Sequence, residues 1–339
     1  MSTMTSSETS TDSAEASGED TGEFALIARM AARLKGGLPE GVVGIGDDCA
    51  ALPLSGGGVQ LLTCDVMVDG RHFKSGATGM ADVGWRVATA SVSDICACGG
   101  LPGYALVSLV VPPDQTTDSL EALYEGLAEA EADYGFRVIG GNVSGGALLS
   151  VDMFMLGEAP RFVSRGGARP GDRIAVGGTL GDSAAGLALL DSATGAASGT
   201  DELVRRHRRP RAEVALVPLI QRVASSAIDI SDGLSAELHH LAQASGARMD
   251  IQGALLPLSQ PLTAFAQARG ESPLRWALHG GEDYRLLFTF PPQHLGDIGA
   301  SPVTVIGEVG EGSGVFLDGA PLPRGGWDHL APERSDREP

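Results

Sequence analysis

Acidic residues stand at the ends of several apolar segments of this sequence, where their oxygens could bind hard cations. The most informative segment is Asp229-Ile230-Ser231-Asp232-Gly233, in which two carboxylates lie one turn apart between an apolar run and a stretch with helical periodicity. Comparable acids occur in Gly46-Asp47-Asp48, Cys64-Asp65, Ser93-Asp94 and Gly280-Gly281-Glu282-Asp283. Proteins usually hold Mg²⁺ by one or two carboxylates together with waters and substrate phosphates. The pattern therefore predicts a metal site that binds a polyphosphate.

Each acidic motif also has a purely structural interpretation. Because Gly and Asp are favoured in turns, Asp48 could belong to a simple turn and Asp65 to an Asx turn at a strand end. Asp229 or Asp232 could cap the helix that follows. Asp94 is different, because it interrupts an apolar helical stretch, where aspartate is a poor helix former and is costly to bury unpaired. For Asp94 a ligand role is favoured over a structural one.

The composition limits the classes of function. A length of 339 residues is typical of two domains, and a net charge of −19 argues against nucleic acid as the main partner. The short basic run at residues 205–209 is interpreted as a solvated helix end. Residues 1–20 are acidic and polar, so we expect a disordered tail and not a signal peptide. No apolar run reaches the length of a membrane helix, and a cytoplasmic location is expected.

Phosphate binding by a lysine loop is excluded by the sequence. The only two lysines are Lys35 and Lys74, and neither lies in a G-x-x-x-x-G-K-[ST] loop. Metals, arginines and backbone amides must then neutralise any bound phosphates, and Arg165 beside two glycines suits that role. The cysteines lack paired C-x₂-C spacing and are expected to be reduced structural thiols; they are Cys49, Cys64, Cys96 and Cys98.

Hydrophobic periodicity predicts mixed helices and strands in two halves. The first half reads as an α+β unit with helices over 23–34, 80–98 and 120–134 and strands over 59–66, 105–111, 137–139 and 148–156. The second half alternates strands with helices, and residues 192–200 read as a flexible loop. A Gly-, Arg- and Pro-rich stretch at 164–172 predicts the boundary between the halves.

Taken in order, these motifs resemble one family, thiamine-monophosphate kinase. The resemblance extends from Gly22 to about Leu330, and it rests on the segments GEFALIAR, GIGDDCA, TCDVMVDGRHF, SVSDICACGG, IGGNVSGG, SRGGARPGD, GTLGDSAAGLALL, SSAIDISDGLSAELHHL, RWALHGGEDYRLLFT and GGWDHL. It implies an α/β (α+β) fold with two domains like those of aminoimidazole ribonucleotide synthetase. The N-terminal domain would cover residues 21–160 and pair in a homodimer, and the C-terminal domain would cover 161–335.

The same resemblance implies the activity and the site. Members of the family use ATP to phosphorylate thiamine monophosphate to thiamine diphosphate, the last step in making that cofactor. The implied ligands are several Mg²⁺ ions, with K⁺ as a further candidate, and no nucleic acid or membrane partner is implied. The implied metal ligands are Asp48, Thr63, Cys64, Asp65, Asp94, Asn142, Asp229 and Asp232, of which Asp94, Asp229 and Asp232 are the catalytic set. The implied ATP contacts are Gly141, Asn142, Arg165 and Ser231, and the implied thiamine phosphate contacts are His72, Glu282 and Trp327.

Two positions depart from the family pattern. The family's Gly-Gly-Asp-Thr reads Gly140-Gly141-Asn142-Val143 here, and Cys64 stands where a hydroxyl residue is usual. An amide oxygen can bind Mg²⁺ but carries no charge, so we expect weaker metal binding at Asn142. Two alternatives therefore stay open: another ATP-using enzyme of the same superfamily, and a non-catalytic sensor of ATP or thiamine phosphate.

Overall fold

The computed structural model describes residues 22–34, 36–191, 201–299 and 301–327. Two compact units are distinguished. One contains the described residues up to Gly36, with helix α1 (Glu23–Ala31), and the other contains the described residues from Gly37 to Trp327. The predicted tail at 1–20 and the predicted loop at 192–200 lie outside the described residues.

The first sheet of the larger unit has five strands among the described residues. They are β1 (Ala50–Pro53), β2 (Val59–Val68), β3 (Leu101–Val111), β4 (Arg137–Gly145) and β5 (Ser150–Ala159), in the spatial order β1-β2-β5-β3-β4. All neighbours are antiparallel except β3 and β4, which run parallel and are joined through a helix, as parallel pairing requires.

Two helices accompany this sheet, α2 (Met80–Ala97) and α3 (Thr117–Tyr134). They approach each other closely at two glycines, because an added Cβ would lie 2.1 Å from the Leu123 carbonyl oxygen at Gly84 and 1.8 Å from the Ala81 carbonyl oxygen at Gly126. The Thr116 side chain caps the start of α3, and Gly135 ends it in the left-handed conformation.

The second sheet has seven strands among the described residues, in the order β12-β11-β8-β10-β6-β9-β7. They are β6 (Arg173–Gly177), β7 (Ser226–Asp229), β8 (Arg248–Ile251), β9 (Leu286–Phe290), β10 (Val303–Gly310), β11 (Gly314–Leu317) and β12 (Ala320–Pro321). The helices of this half are α4 (Asp182–Asp191), α5 (Asp201–Arg208), α6 (Val217–Val223), α7 (Leu234–Ser245), α8 (Gln260–Ala268), α9 (Pro273–His279) and α10 (Leu295–Ile298).

Helix α2 connects the two sheets. It contacts β2 and β5 of the first sheet and β7 and β9 of the second, and one apolar cluster joins Leu61, Ile95 and Phe288 from these elements. Most of α2 is buried, which explains its nearly continuous apolar sequence. As a result, a polar side chain on α2 can reach the end of a strand in the second sheet.

The predicted elements are found with changed limits. The strand predicted at 105–111 begins at Leu101 and the one predicted at 137–139 continues to Gly145. The elements β1, α8, α9, α10, β11 and β12 were not predicted. The helix end predicted at 205–209 is found, since α5 ends at Arg208, but it is less solvated than expected. Arg206 pairs with Asp182 at 2.7 Å and Arg209 with Asp82 at 2.6 Å, so much of this charge is neutralised within the protein. Among the described residues, no helix is long and apolar enough to cross a membrane.

Candidate active site

Three aspartates from distant parts of the chain meet where the two sheets adjoin α2. Asp48 lies in the loop before β1, Asp94 lies near the end of α2, and Asp229 is the last residue of β7. One carboxylate oxygen from each lies within 4.8 Å of the others. Carboxylates at this separation repel one another unless a cation or protons lie between them.

Burial makes this cluster a strong candidate for a cation site. Burial and the neighbouring carboxylates raise the pKa of Asp48 to about 7 and that of Asp229 to about 6, and the pKa of Asp94 is raised well above its usual value. The Oδ2 atoms of Asp48 and Asp229 are buried and accept no hydrogen bond from the described residues. Buried acceptors are rarely left unpaired, and a divalent cation with oxygen ligands would satisfy both.

Hydroxyl groups orient two of the acids. The Thr63 hydroxyl donates a hydrogen bond to Asp94, and the Ser91 hydroxyl donates to Asp65 Oδ2 at 2.8 Å. Burial raises the pKa of Asp65 to about 6. Because side chains alternate along β2, Thr63 and Asp65 face the cluster while the thiol of Cys64 is exposed on the other face. Only the backbone of Cys64 is left for the predicted ligand role.

Arg165 contacts the acidic cluster at Asp48 and the neighbouring Asp47. Its guanidinium forms an ion pair with Asp48 Oδ1, and its backbone N–H donates to Asp47 Oδ2 at 3.0 Å. The Ser164 hydroxyl donates to the same Asp47 oxygen at 3.0 Å. Arg165 was predicted to contact ATP, and in the structure it orients a predicted metal ligand while 17 % of its side chain is exposed.

A further buried acid lies beside Asp232 and was missed in the sequence. The carboxylate of Glu237, on α7, accepts a hydrogen bond from the Asp232 N–H at 2.9 Å, and burial and Asp232 raise the pKa of Glu237 well above its usual value. The signal was the same as for Asp94, an acid within an apolar helical stretch. The structural reading of Asp229 and Asp232 as side-chain caps was wrong, since the N-cap of α7 is Gly233 and no side chain caps it.

Glu282 belongs to a second charged group. Arg86, which is 1 % exposed, donates to Glu282 Oε1 and also to the His72 carbonyl oxygen at 2.9 Å. His207 Nδ1 lies 3.5 Å from Glu282 Oε2. Burial raises the pKa of Glu282, but Arg86 and His207 outweigh it and leave this pKa below its usual value. Sequence reasoning missed Arg86, because an arginine among apolar helix residues gives no sign of its partner.

His72 and Trp327 were both predicted to contact thiamine phosphate, and each already contacts a neighbour within the chain. The Val68 N–H donates to His72 Nδ1 at 3.0 Å, so Nδ1 is the acceptor nitrogen of that ring. Trp327 is 47 % exposed, and the Arg71 guanidinium lies 4.8 Å from the centre of its ring. The face of the Trp327 ring is thus in a position where it attracts a cation.

The backbone of the loop before α7 links several predicted site residues. The Ser231 carbonyl oxygen accepts from the Glu282 N–H at 2.7 Å, and the Asp232 carbonyl oxygen accepts from the Trp327 N–H at 3.1 Å. The loop that follows Asp229 therefore also fixes the backbone of two residues predicted to bind thiamine phosphate.

The structure does not bring Asn142 to the acidic cluster of the same chain. Asp65 pairs with Met153, Met153 with Val107, and Val107 with Gly141, and such paired residues share one face of a sheet. Asn142 is the next residue and so lies on the opposite face. Gly141 approaches β3 closely, since an added Cβ would lie 1.8 Å from the Val107 carbonyl oxygen.

The fold and this site define the class of the protein. Residues 46–159 match the family AIR synthase related protein, N-terminal domain, and residues 169–319 match AIR synthase related protein, C-terminal domain. Thiamine-monophosphate kinase of Aquifex aeolicus is 41 % identical over 313 residues, which are 92 % of this chain and 99 % of that protein. The Escherichia coli (strain K12) enzyme of the same name is 38 % identical over 328 residues, covering 91 % of this chain and 98 % of the relative.

A solved structure agrees with the sequence relatives. The structure described as AaThiL complexed with AMPPCP and TMP superposes with a TM-score of 0.85 at 41 % identity, covering 91 % of this chain and 97 % of that chain. The chain belongs to the thiamine-monophosphate kinase family. The expected two-domain AIR synthase-like fold is thereby confirmed, while the exact domain limits at 160 and 161 stay a prediction.

Proposed function

We propose that this protein transfers the γ-phosphoryl group of ATP to thiamine monophosphate, giving thiamine diphosphate and ADP. The observation that carries the proposal is the buried cluster of Asp48, Asp94 and Asp229, in which two carboxylate oxygens have no partner among the described residues. The relatives' shared name and the neighbour that holds an ATP analogue with TMP support the same reaction.

The chemistry explains why no histidine and carboxylate pair is needed as a general base. A phosphate monoester has a second pKa of about 6, so at neutral pH it already offers an anionic oxygen. That oxygen attacks the γ-phosphorus in line, the bond from the γ-phosphorus to the bridging oxygen breaks, and ADP leaves with the electron pair. No proton has to be removed from the nucleophile, and the protein must mainly offset charge and hold two polyanions together.

The residues of the cluster fit Mg²⁺. Asp48, Asp94 and Asp229 would hold it, with Asp65 and Asp232 nearby; when bound, the ion offsets the negative charge of the phosphates. The chain's own part is orientation: Arg165 fixes one oxygen of Asp48 and leaves the other free of hydrogen bonds from described residues, and Thr63 fixes Asp94. K⁺ is proposed as an additional ion.

The predicted ligand contacts complete the proposal. Gly141, Asn142, Arg165 and Ser231 are proposed to contact ATP. For the acceptor, Trp327 would stack on the cationic thiazolium or the pyrimidine, and Glu282 would supply a countercharge. His72 lies beside Arg71, whose guanidinium covers Trp327. Arg86 keeps Glu282 ionised, which that countercharge requires.

We also propose that the protein is a cytoplasmic homodimer. Strand β4 is an edge of the first sheet and is exposed along nearly its whole length, with Ile139 61 % and Val143 68 % exposed. On neighbouring β3, Tyr104 is 56 % exposed. Long apolar edge strands are normally covered, and a second copy of the chain is the proposed cover.

Turnover tests the proposed reaction. Purified protein with thiamine monophosphate, MgATP and K⁺ should form thiamine diphosphate and ADP in equal amounts. Asp94→Asn should lose at least about 100-fold in kcat, the size seen when one electrostatic contact to the transition state is removed. Its fold should persist, because burial already favours the neutral form of Asp94, which an amide resembles.

The control is Asp114→Asn, the same change at an exposed position outside the acidic cluster. It should keep wild-type turnover. Addition of Mg²⁺ should raise the melting temperature of the wild type and of Asp114→Asn but much less that of Asp94→Asn. A wild-type protein that binds both ligands without turnover would support the sensor alternative, and normal turnover by Asp94→Asn would remove Asp94 from the site.

A further inference from the structure

The segment that carries Trp327 lies against α7 and is held there by side chains of that helix. His239 Nε2 lies 2.9 Å from the Leu322 carbonyl oxygen, so Nε2 carries the proton and donates. The Ser235 hydroxyl donates to the Pro323 carbonyl oxygen at 3.0 Å and accepts from the Gly325 N–H at 3.2 Å. These contacts are spread along residues 322–327. We call these six residues the tail segment, which is separate from the predicted tail at 1–20.

The contacts follow from the helical repeat. Ser235 and His239 are four residues apart and therefore lie on one face of α7, and Asp232 directly precedes the N-cap Gly233 of that helix. The Asp232 carbonyl oxygen accepts from the Trp327 N–H at 3.1 Å. The tail segment is neither helix nor strand, so these contacts supply hydrogen bonds that a sheet would otherwise provide.

Close packing at a glycine completes the attachment. Gly326 has a φ of 125°, and an added Cβ would lie 2.7 Å from the Asp232 carbonyl oxygen. Arg324 donates to His240 Nε2 at 2.8 Å, which requires a neutral imidazole. Burial and the charge of Arg324 lower the pKa of His240 to about 3, so this contact persists across the neutral range.

We propose that Ser235 and His239 are positioning residues that fix Trp327 for stacking on the cationic ring of the acceptor. The proposal rests on the proposed function. Trp327 is 47 % exposed, and a segment without these contacts would have to be ordered when the acceptor binds. Holding it in place beforehand removes that entropic penalty from acceptor binding and leaves ATP binding unaffected.

Tryptophan fluorescence tests the attachment without any substrate. The chain has three tryptophans, and Trp85 and Trp276 are only 6 % and 3 % exposed, so acrylamide should quench mainly Trp327. His239→Ala should increase the quenching constant by roughly twofold or more, whereas His239→Gln, whose amide can still donate to the Leu322 carbonyl oxygen, should behave like the wild type. Trp327→Phe identifies the part of the signal that belongs to Trp327.

Kinetics test the effect on the acceptor. His239→Ala should raise KM for thiamine monophosphate about fivefold, as expected for one lost neutral hydrogen bond, and leave KM for ATP within about twofold of the wild type. The matched control is His294→Ala. It removes a partly exposed histidine that contacts Asp297, and both residues lie outside α7 and the tail segment. It should change neither constant.

A second variant shows whether the effects of His239→Ala come from lost positioning of Trp327 or from a folding defect. Ser235→Ala removes both contacts of that hydroxyl and should reproduce the increased quenching and the selective rise in KM. Unchanged quenching in both variants, or equal increases in KM for both substrates, would overturn the proposal. A wild type without turnover would refute the proposed function, whereas the quenching comparison would still decide whether α7 fixes Trp327.

Discussion

Neighbouring acids in one motif have different environments in this protein. In Gly280-Gly281-Glu282-Asp283, the Glu282 side chain pairs with Arg86, while both oxygens of Asp283 accept backbone N–H groups, from Gly181 at 2.5 Å and Ser183 at 3.1 Å. Burial raises the pKa of Asp283 to about 7. Asp283 thus holds the start of α4, and only Glu282 is placed to meet a ligand.

The buried His207 predicts how the free energy of unfolding depends on pH. Burial lowers its pKa to about 4 from 6.5, although Glu282 acts in the opposite direction. The unfolded chain therefore binds a proton between pH 6.5 and 4 that the folded protein does not. This group lowers the free energy of unfolding as the pH falls through that window, by up to about 1.4 kcal/mol per pH unit.

The measurement compares how steeply the free energy of unfolding falls with pH in the wild type and in His207→Asn. Chemical denaturation from pH 7 to pH 4.5 should show that the wild type loses more stability than His207→Asn, whose side chain does not titrate. Parallel curves for wild type and His207→Asn would contradict a buried neutral imidazole.

Helix α2 is the element on which the site depends most. It carries Asp94, which belongs to the acidic cluster, and Arg86, which pairs with Glu282. It also contacts strands of both sheets. Its position is set by contact with α3 through Gly84 and Gly126. A change in the distance between these two helices should therefore affect stability first and the site second.

Gly126→Ala tests this element. The added Cβ would lie 1.8 Å from the Ala81 carbonyl oxygen, a backbone atom that cannot turn away, so α2 and α3 must separate. We expect a loss of roughly 1–3 kcal/mol in the free energy of unfolding. The control is Gly296→Ala in α10, where no described atom lies within 4 Å of the added Cβ and alanine should be neutral or slightly stabilising. Equal denaturation midpoints for both variants would show that α2 and α3 can accommodate a methyl group at Gly126 without separating.

At the scale of the whole molecule, the proposed homodimer would cover the exposed β4 edge. Light scattering at micromolar concentration should give twice the mass of the chain. Ile139→Lys should shift the protein toward monomer, since a lysine on an edge strand opposes pairing with another chain. Leu295→Lys is the matched control, because Leu295 is 46 % exposed but lies on α10. A monomeric wild type, or a dimer unaffected by Ile139→Lys, would argue against this surface.

The sequence alone determined much of the local structure and the set of candidate ligands. The helical period of α2 and α7 and the apolar strands were readable because neighbouring residues decide them, and an aspartate in an apolar helix marked Asp94. The family was readable because its motifs are long. Among the elements that were missed, β1 and β11 have only four residues each, too few to show a period.

Only the tertiary structure decided which of these residues meet. The convergence of Asp48, Asp94 and Asp229 joins segments 46 and 135 residues apart along the chain, and no local pattern encodes such contacts. The pairing of Arg86 with Glu282 and the position of Glu237 beside Asp232 are equally non-local. The face of the sheet on which Asn142 lies depends on strand register, because a shift of one residue moves a side chain to the other face. Its separation from Asp65 could therefore be read only from the paired strands.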